Sequence, residues 1–334
     1  MREMKDSGIE WIGEIPTAWA VVSTKHLFQI FSGATPDSSK AENWDGDINW
    51  ITPADYKTSD MYVDKGRRSL SHIGFASCST NMIPAGNLIF SKRAPIGSVA
   101  INRTDLCTNQ GCLSCVSKGN NSVMYYYYVI SIATEYYELL GSGTTFKEIS
   151  ASSFSNFSLP SPSYQDQLII SNFLNAKCDK VNTLIQNVQT QIEKLKTYKQ
   201  SLITEVVTKG LDPTVPMKDS GVEWIGEIPE HWNIISLGGV TSEMRNGYVG
   251  PTRDLFVDNG VRYIQSLHTR DGLIDFYKHP YYVREEWANQ HPKVHTGDVL
   301  IVQTGDIGQV ALVNDEFDCC NCHALIIEIG RAHV

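Results

Sequence analysis

The 334-residue sequence contains no apolar run approaching the ~20 residues that span a membrane, and Met1 to Glu10 is too polar for a secretory leader. A cytoplasmic protein is expected. There is no Gly-x-x-x-x-Gly-Lys-Ser/Thr loop to cradle nucleotide phosphates and no Asn-Pro-Pro-Tyr methyltransferase motif. Positive charge is short: 28 Lys and Arg against 37 Asp and Glu leave a net charge of −9. That argues against a uniformly basic nucleic-acid binder, although a global charge can hide a local basic face. What remains, 42% apolar and 19% charged residues, is the composition of a folded globular protein long enough for two or three domains.

The strongest pattern present is an internal repeat. Met4 to Trp19 returns as Met217 to Trp232, with thirteen of sixteen positions identical at an offset of 213. Ile48–Ile51 answers Val261–Ile264 at the same offset, and Gly86–Ile101 answers Gly297–Leu312 at 211. A nearly unchanged frame thus opens two diverged modules. Within them, Leu88–Phe90 and Val99–Ile101 are short β-branched and apolar runs joined by a Pro/Gly turn, and Val299–Val302 with Val310–Val313 repeats them. These predict strands. Ser122 to Leu140 predicts one helix ended by Gly141.

Between the modules runs a heptad pattern. Leu174, Val181, Val188, Leu195 and Leu202 recur every seven residues, and Cys178, Ile185, Ile192 and Val206 fill the alternate row, broken only by Lys199. This is an a/d seam of a helix that packs lengthwise against another helix. Ser163 with Asp166 supplies a cap, Pro160 and Pro162 bar helix before it, and Gly210 and Pro213 end it. An a/d seam alone says only that a helix partner exists; its place between repeated modules makes it a spacer.

Eight cysteines in a reducing compartment point to thiols or metal ligands rather than disulfides. Cys112 and Cys115 have the spacing of a zinc knuckle, Cys107 is near, and Cys319, Cys320, Cys322 and His323 could add ligands. The first group lies on a strand-like run and no second spaced pair follows, so small core residues are the favoured reading and no metal or other cofactor is expected. Pro53-Ala-Asp55-Tyr-Lys57 lacks the partner carboxylate of a nuclease site. Tyr125 to Tyr128, Tyr136 and Tyr137 could stack on bases, but at helical spacing in an apolar segment they read as core.

The combined architecture resembles the DNA-specificity subunits of type I restriction–modification enzymes. The resemblance rests on Phe31-Ser-Gly-Ala-Thr-Pro36 followed by Trp44–Thr52 and Asp55; on Gly143-Thr-Thr145, Ile149, Leu159-Pro160, Gln167 and Ile170; on Lys196–Ile203 through Gly210-Leu211; and on Trp224–Trp232. Asp166 stands where the family usually has Glu, and the second copy shows Arg245-Asn-Gly247-Tyr248 in place of a Gly-x-Thr-Pro block. The resemblance implies an α+β fold: two β-rich target-recognition domains separated by a long coiled-coil-forming helix, with a second such helix missing here. The expected segments are a lead-in (1–18), a first recognition domain (19–162), the spacer helix (163–210), a linker with the repeated lead-in (211–231), an incomplete second recognition domain (232–327) and a tail (328–334). The tail's Glu-Ile-Gly-Arg-Ala-His-Val resembles translated sequencing adapter, which makes the missing half an expected artefact.

For function, the resemblance implies a non-catalytic subunit that binds double-stranded DNA. Each recognition domain reads one half of a bipartite target, and modification (methyltransferase) and restriction subunits supply the chemistry. The adjacent cations Lys92 and Arg93, on the turn after Leu88–Phe90, suit phosphate and guanine; the aligned Gln303 and Thr304 suit a different edge. Thr52, Lys57, Arg245, Tyr248, His268 and Arg270 are further candidate contacts, each of which taken singly reads more readily as an ordinary solvated residue. The seam of Leu174, Val181, Ile185, Val188, Ile192, Leu195 and Leu202 lacks an intramolecular mate, leaving homodimerisation open. A competing class, an adaptor with protein- or glycan-binding β-rich modules on an oligomerising coiled coil, fits the acidic balance.

Overall fold

A computed structural model describes residues 3–143 and 147–330, and the chain divides into two compact units, 1–193 and 194–334. Thr144 and Thr145 of the family-like block, and Arg331–Val334 of the tail, lie outside the described residues.

The first unit opens with the antiparallel hairpin β1 (Met4–Asp6) and β2 (Glu14–Pro16), then β3 (Ala20–Ser23), a helical turn α1 (Thr24–Leu27) and β4 (Phe28–Ser32). β5 (Trp44–Ile51), β6 (Tyr62–Val63), β7 (Arg68–Leu70), α2 (His72–Ala76), β8 (Leu88–Ser91), β9 (Val99–Asn102), β10 (Cys107–Thr108) and β11 (Cys112–Ser117) follow. The chain then turns helical in α3 (Val123–Ile132), α4 (Thr134–Leu140) and α5 (Ala151–Asn156), and β12 (Ser158–Ser161) leads into α6 (Tyr164–Lys209). The main sheet runs β4-β11-β8-β9-β6, a second runs β10-β5-β7, and β12 pairs with β3.

Side chains alternate across a strand, and here both faces are used. Leu88, Phe90, Val99, Ile101, Leu113 and Cys115 pack against Tyr125, Tyr126, Ile130, Tyr137 and Phe154 of the helices. Ile89, Ala100 and Cys112 turn the other way, towards Ile51, Tyr56, Ile83 and Leu106. Each fully buried large side chain stabilises by roughly 1.5–3 kcal/mol. Tyr125, Tyr126, Tyr127 and Tyr137 are therefore core, while Tyr128 is half-buried and Tyr136 exposed. The single helix expected over Ser122–Leu140 is two helices: Ala133 (φ −94°, ψ 12°) breaks it, and Tyr137 turns in to meet Phe90 with ring centroids 4.9 Å apart.

α6 begins where its cap predicts. Ser163 Oγ accepts the Asp166 N–H at 3.1 Å and donates to Asp166 Oδ2 at 3.0 Å. It ends at Gly210 (φ +78°), whose N–H reaches Val206 O at 3.0 Å. Its 46 residues extend roughly 70 Å. Near its start, buried Gln167 accepts from Ser122 N (2.8 Å) and donates to Pro162 O (3.0 Å), and Tyr128 donates to Asn175 Oδ1 (2.7 Å). Leu174 and Cys178 are half-buried, whereas Val181, Ile185, Val188, Ile192, Leu195 and Leu202 are exposed.

The second unit repeats the first more fully than the sequence does. Its hairpin pairs Met217 with Pro229 as Met4 pairs with Pro16. Its main sheet runs Thr241–Asn246, Leu325–Gly330, Val299–Val302, Val310–Leu312, the order of β4-β11-β8-β9. Val261–Ile264 pairs in parallel with Asn321–Cys322 as β5 does with β10. Glu328–Gly330, expected to belong to the tail, form the end of a strand. One face differs. Val310 and Leu312 are 44% and 56% exposed, where Val99 and Ile101 are 2% and 6%. After α6, no helix among the described residues is longer than four residues, so none lies there as α3 does in the first unit.

Candidate nucleic-acid interface

Three segments of the first unit meet at one corner: Gly33–Pro36 after β4, the β8–β9 turn, and Asn109–Gly111 after β10. Lys92 N donates to Gly111 O (3.0 Å) and Ala34 N to Thr108 O (2.9 Å). Gly33 is required there, because a Cβ would lie 2.2 Å from Thr108 O. Pro53 sits against Gly111, so the turn after Thr52 reaches the same corner. Thr35 bonds the Gln110 side chain.

The charge at this corner is paired. Lys92 Nζ lies 2.8 Å from Glu148 Oε1 and Arg93 Nε 2.6 Å from Glu148 Oε2. Burial alone would raise the Glu148 carboxyl, but hydrogen bonds and charge from the two cations outweigh it and hold it below its ordinary value. Nearby, Lys57, Lys65 and Arg67 line a cleft of about 290 Å³ with Asp55 and Asp60. The Arg68 guanidinium stacks on Trp44, 3.7 Å from the ring centroid. Thr52 itself is spent on structure, its N–H and hydroxyl both donating to Asp55 Oδ2 (2.8 and 2.7 Å).

The model of the type I restriction modification DNA specificity domain matches residues 16–194. The chain belongs to that family. The specificity subunit of the type I restriction enzyme MjaIX from Methanocaldococcus jannaschii is 30% identical over 270 residues, covering 78% of this chain and 60% of that one. The EcoBI specificity subunit from Escherichia coli is 22% identical over 335 residues, 95% of this chain and 67% of that one. A solved structure from a study of assembly and conformational transition in a type I R-M system superposes with a TM-score of 0.50 at 20% identity, over 59% of this chain and 47% of its own, and shows likeness of fold. This chain spans 40–60% of the length of the three Methanocaldococcus jannaschii specificity subunits it matches.

The second unit of this specificity-family chain builds the same corner from different residues. Gly247 takes the place of Gly33, since a Cβ there would lie 2.4 Å from Cys322 Sγ. Tyr248 N donates to Cys322 O and Ala324 N to Tyr248 O, both at 2.9 Å. Gln303 Nε2 donates to Ala324 O (3.0 Å) and Asn246 Oδ1 (3.3 Å). Tyr248, half-buried, meets Trp287 and His291 edge-on, each at 5.0 Å. Thus Tyr248 and Gln303 converge on Ala324, with His323 beside Tyr248 and Thr304 exposed next to Gln303. Sequence comparison missed His323, Asn109 and Gln110 because their loop aligns only once the strands are placed. The run Lys65-Gly-Arg67-Arg68 is a cationic signal visible in the sequence itself.

Other expected contacts stand apart from the corner. Arg270 is exposed at a hairpin tip formed by Asp271 and Gly272, both with positive φ (52° and 83°). Arg245 is half-buried; its Nη2 donates to Lys293 O (2.9 Å), and its buried Nε has no partner among the described residues. His268 is fully buried. Its Nδ1 accepts from Gln265 N (3.0 Å) and its Nε2 donates to His279 O (2.8 Å), so both nitrogens serve the fold.

Cys112 and Cys115, three apart on β11, point to opposite cores and cannot share one ion. Burial pushes the Cys107, Cys112 and Cys322 thiols up to about 12 and Cys320 to about 11. Cys319 alone of its cluster is exposed, with ligand atoms of His295 and Asp318 within 4.8 Å.

Proposed function

We propose that the two units each read one half of a split double-stranded DNA sequence, as parts of the specificity subunit of a type I restriction–modification complex. The observation that carries this reading is one backbone corner built twice, with Lys92–Arg93 at one tip and Gln303–Thr304 at the other. Cations hold phosphate and arginine bonds guanine in two places, while an amide and a hydroxyl suit other base edges. Thr52, Lys57 and Tyr248, with Arg67 and Arg68, flank these tips, while Arg270 meets DNA from a separate hairpin tip. Arg245 and His268 shape the second unit from within. In this reading the chain carries no catalytic group, and modification and restriction subunits in the cytoplasm supply methyl transfer and cleavage. The exposed seam of α6 is the spacer surface, taking a heptad helix of a modification subunit or of a second copy.

The test is a complex reconstituted with the modification subunits. Binding to duplex DNA should weaken steeply with salt as counterions are released. Replacing both Lys92 and Arg93 with Ala should cost about 1–3 kcal/mol and alter methylation preference at one half-site only. Binding indifferent to salt and sequence would favour the adaptor class instead.

A further inference from the structure

We propose that Glu148 is a built-in stand-in for a DNA phosphate, masking Lys92 and Arg93 in the free protein and releasing them only to a backbone that displaces it. This rests on the reading of that corner as DNA-facing. The carboxylate presents one oxygen to each cation, at 2.8 and 2.6 Å, as two oxygens of one phosphate would. It comes from a distant segment, 55 residues beyond Arg93. The backbone delivers it: Ser142 and Glu148 exchange N–H···O bonds of 2.9 Å, and Ile149 N donates to Lys92 O at 3.0 Å.

The pairing is placed for exchange. The side chains of Arg93 and Glu148 are 45% and 30% exposed, so an incoming anion reaches the Arg93 side of the pairing first, where the pair is near enough to water to give way, while Lys92 is 13% exposed behind it. Sequence-independent affinity comes from cations that neutralise phosphates, each adding about 0.9 to the salt slope. Two cations sharing one carboxylate offer random DNA a net charge of one rather than two. Any duplex that engages the two cations displaces the carboxylate at the same cost, so the mask lowers random and target affinity alike and tempers the non-specific term. At the second unit's equivalent tip the residues are neutral, and Gln303 bonds Ala324 O and Asn246 instead of a carboxylate.

Glu148→Gln, made in the full chain and assembled with the modification subunits, tests this by titration with random-sequence and target duplexes across a salt series. The expected result is random-duplex affinity raised about three- to tenfold at low salt and a slope steeper by about one, with target affinity raised alongside it. Adding Lys92→Ala and Arg93→Ala to that variant should remove the gain. If Glu148→Gln lowers the melting temperature, Glu148→Asp, which shortens the reach by one methylene, should give a partial gain. Wild-type binding with no gain in either variant would overturn the mask and leave Glu148 a structural tie. Failure of the wild type to bind any duplex would overturn the DNA reading itself, and the mask with it.

Discussion

Asp55 and His268 close the same turn in the two units. Asp55 accepts the N–H of Thr52 at 2.8 Å, and His268 Nδ1 accepts that of Gln265 at 3.0 Å. The first is a carboxylate that also accepts Arg67 N at 3.0 Å; the second is a buried neutral ring.

That exchange makes the second unit acid-sensitive. Burial, the largest cause, holds the His268 pKa below its ordinary 6.5. Between those values the unfolded chain binds more protons than the folded one, so stability is full above about 6.5 and is lost as pH falls. Melting temperature should drop as pH falls below about 6.5, with a smaller drop in His268→Gln. An equal drop in both would contradict this role.

The uncovered sheet face makes a second contrast. Ile101→Ala should cost about 2–5 kcal/mol, the loss of a buried aliphatic side chain, because Ile101 is closed under the tyrosine helices. Leu312→Ala, at the matching position, should cost under ~1 kcal/mol. Denaturant midpoints of the two variants decide it. Comparable losses would mean that the second face is covered in solution.

The seam of α6 should separate assembly from folding. Val188 and Leu195 are exposed, so changing both to Asp should leave melting nearly unaltered, within ~0.5 kcal/mol per site, while abolishing association with modification subunits. Co-purification of an intact complex with this variant would show that the seam is not the docking surface.

Local signals were the legible ones. Ser163, Asp166 and Gly210 bound α6 because caps act within a turn, and the paired runs at 88–91 and 99–102 are strands because a short apolar, β-branched run bounded by turn residues shows in a handful of residues. The break at Ala133 was not legible, since it depends on Tyr137 finding Phe90 and Phe154 across the core. Nor was Glu148's hold on Lys92 and Arg93, which joins residues more than fifty positions apart. His268 looked like a surface contact in sequence and is a buried cap, because only the folded turn brings Gln265 N to its ring.

Gly33 and Gly247 let the two corners close on main chain, Thr108 O in the first and Cys322 O beside its Sγ in the second. A wall of carbonyls and amides is indifferent to the identities of the residues standing on it. Substitutions at positions 92, 93, 303 and 304 can therefore accumulate with only the side-chain ties to Glu148, Ala324 and Asn246 to renegotiate. The cost of acquiring a new half-site is confined to a few atoms at a tip, and one half can drift while the other is held.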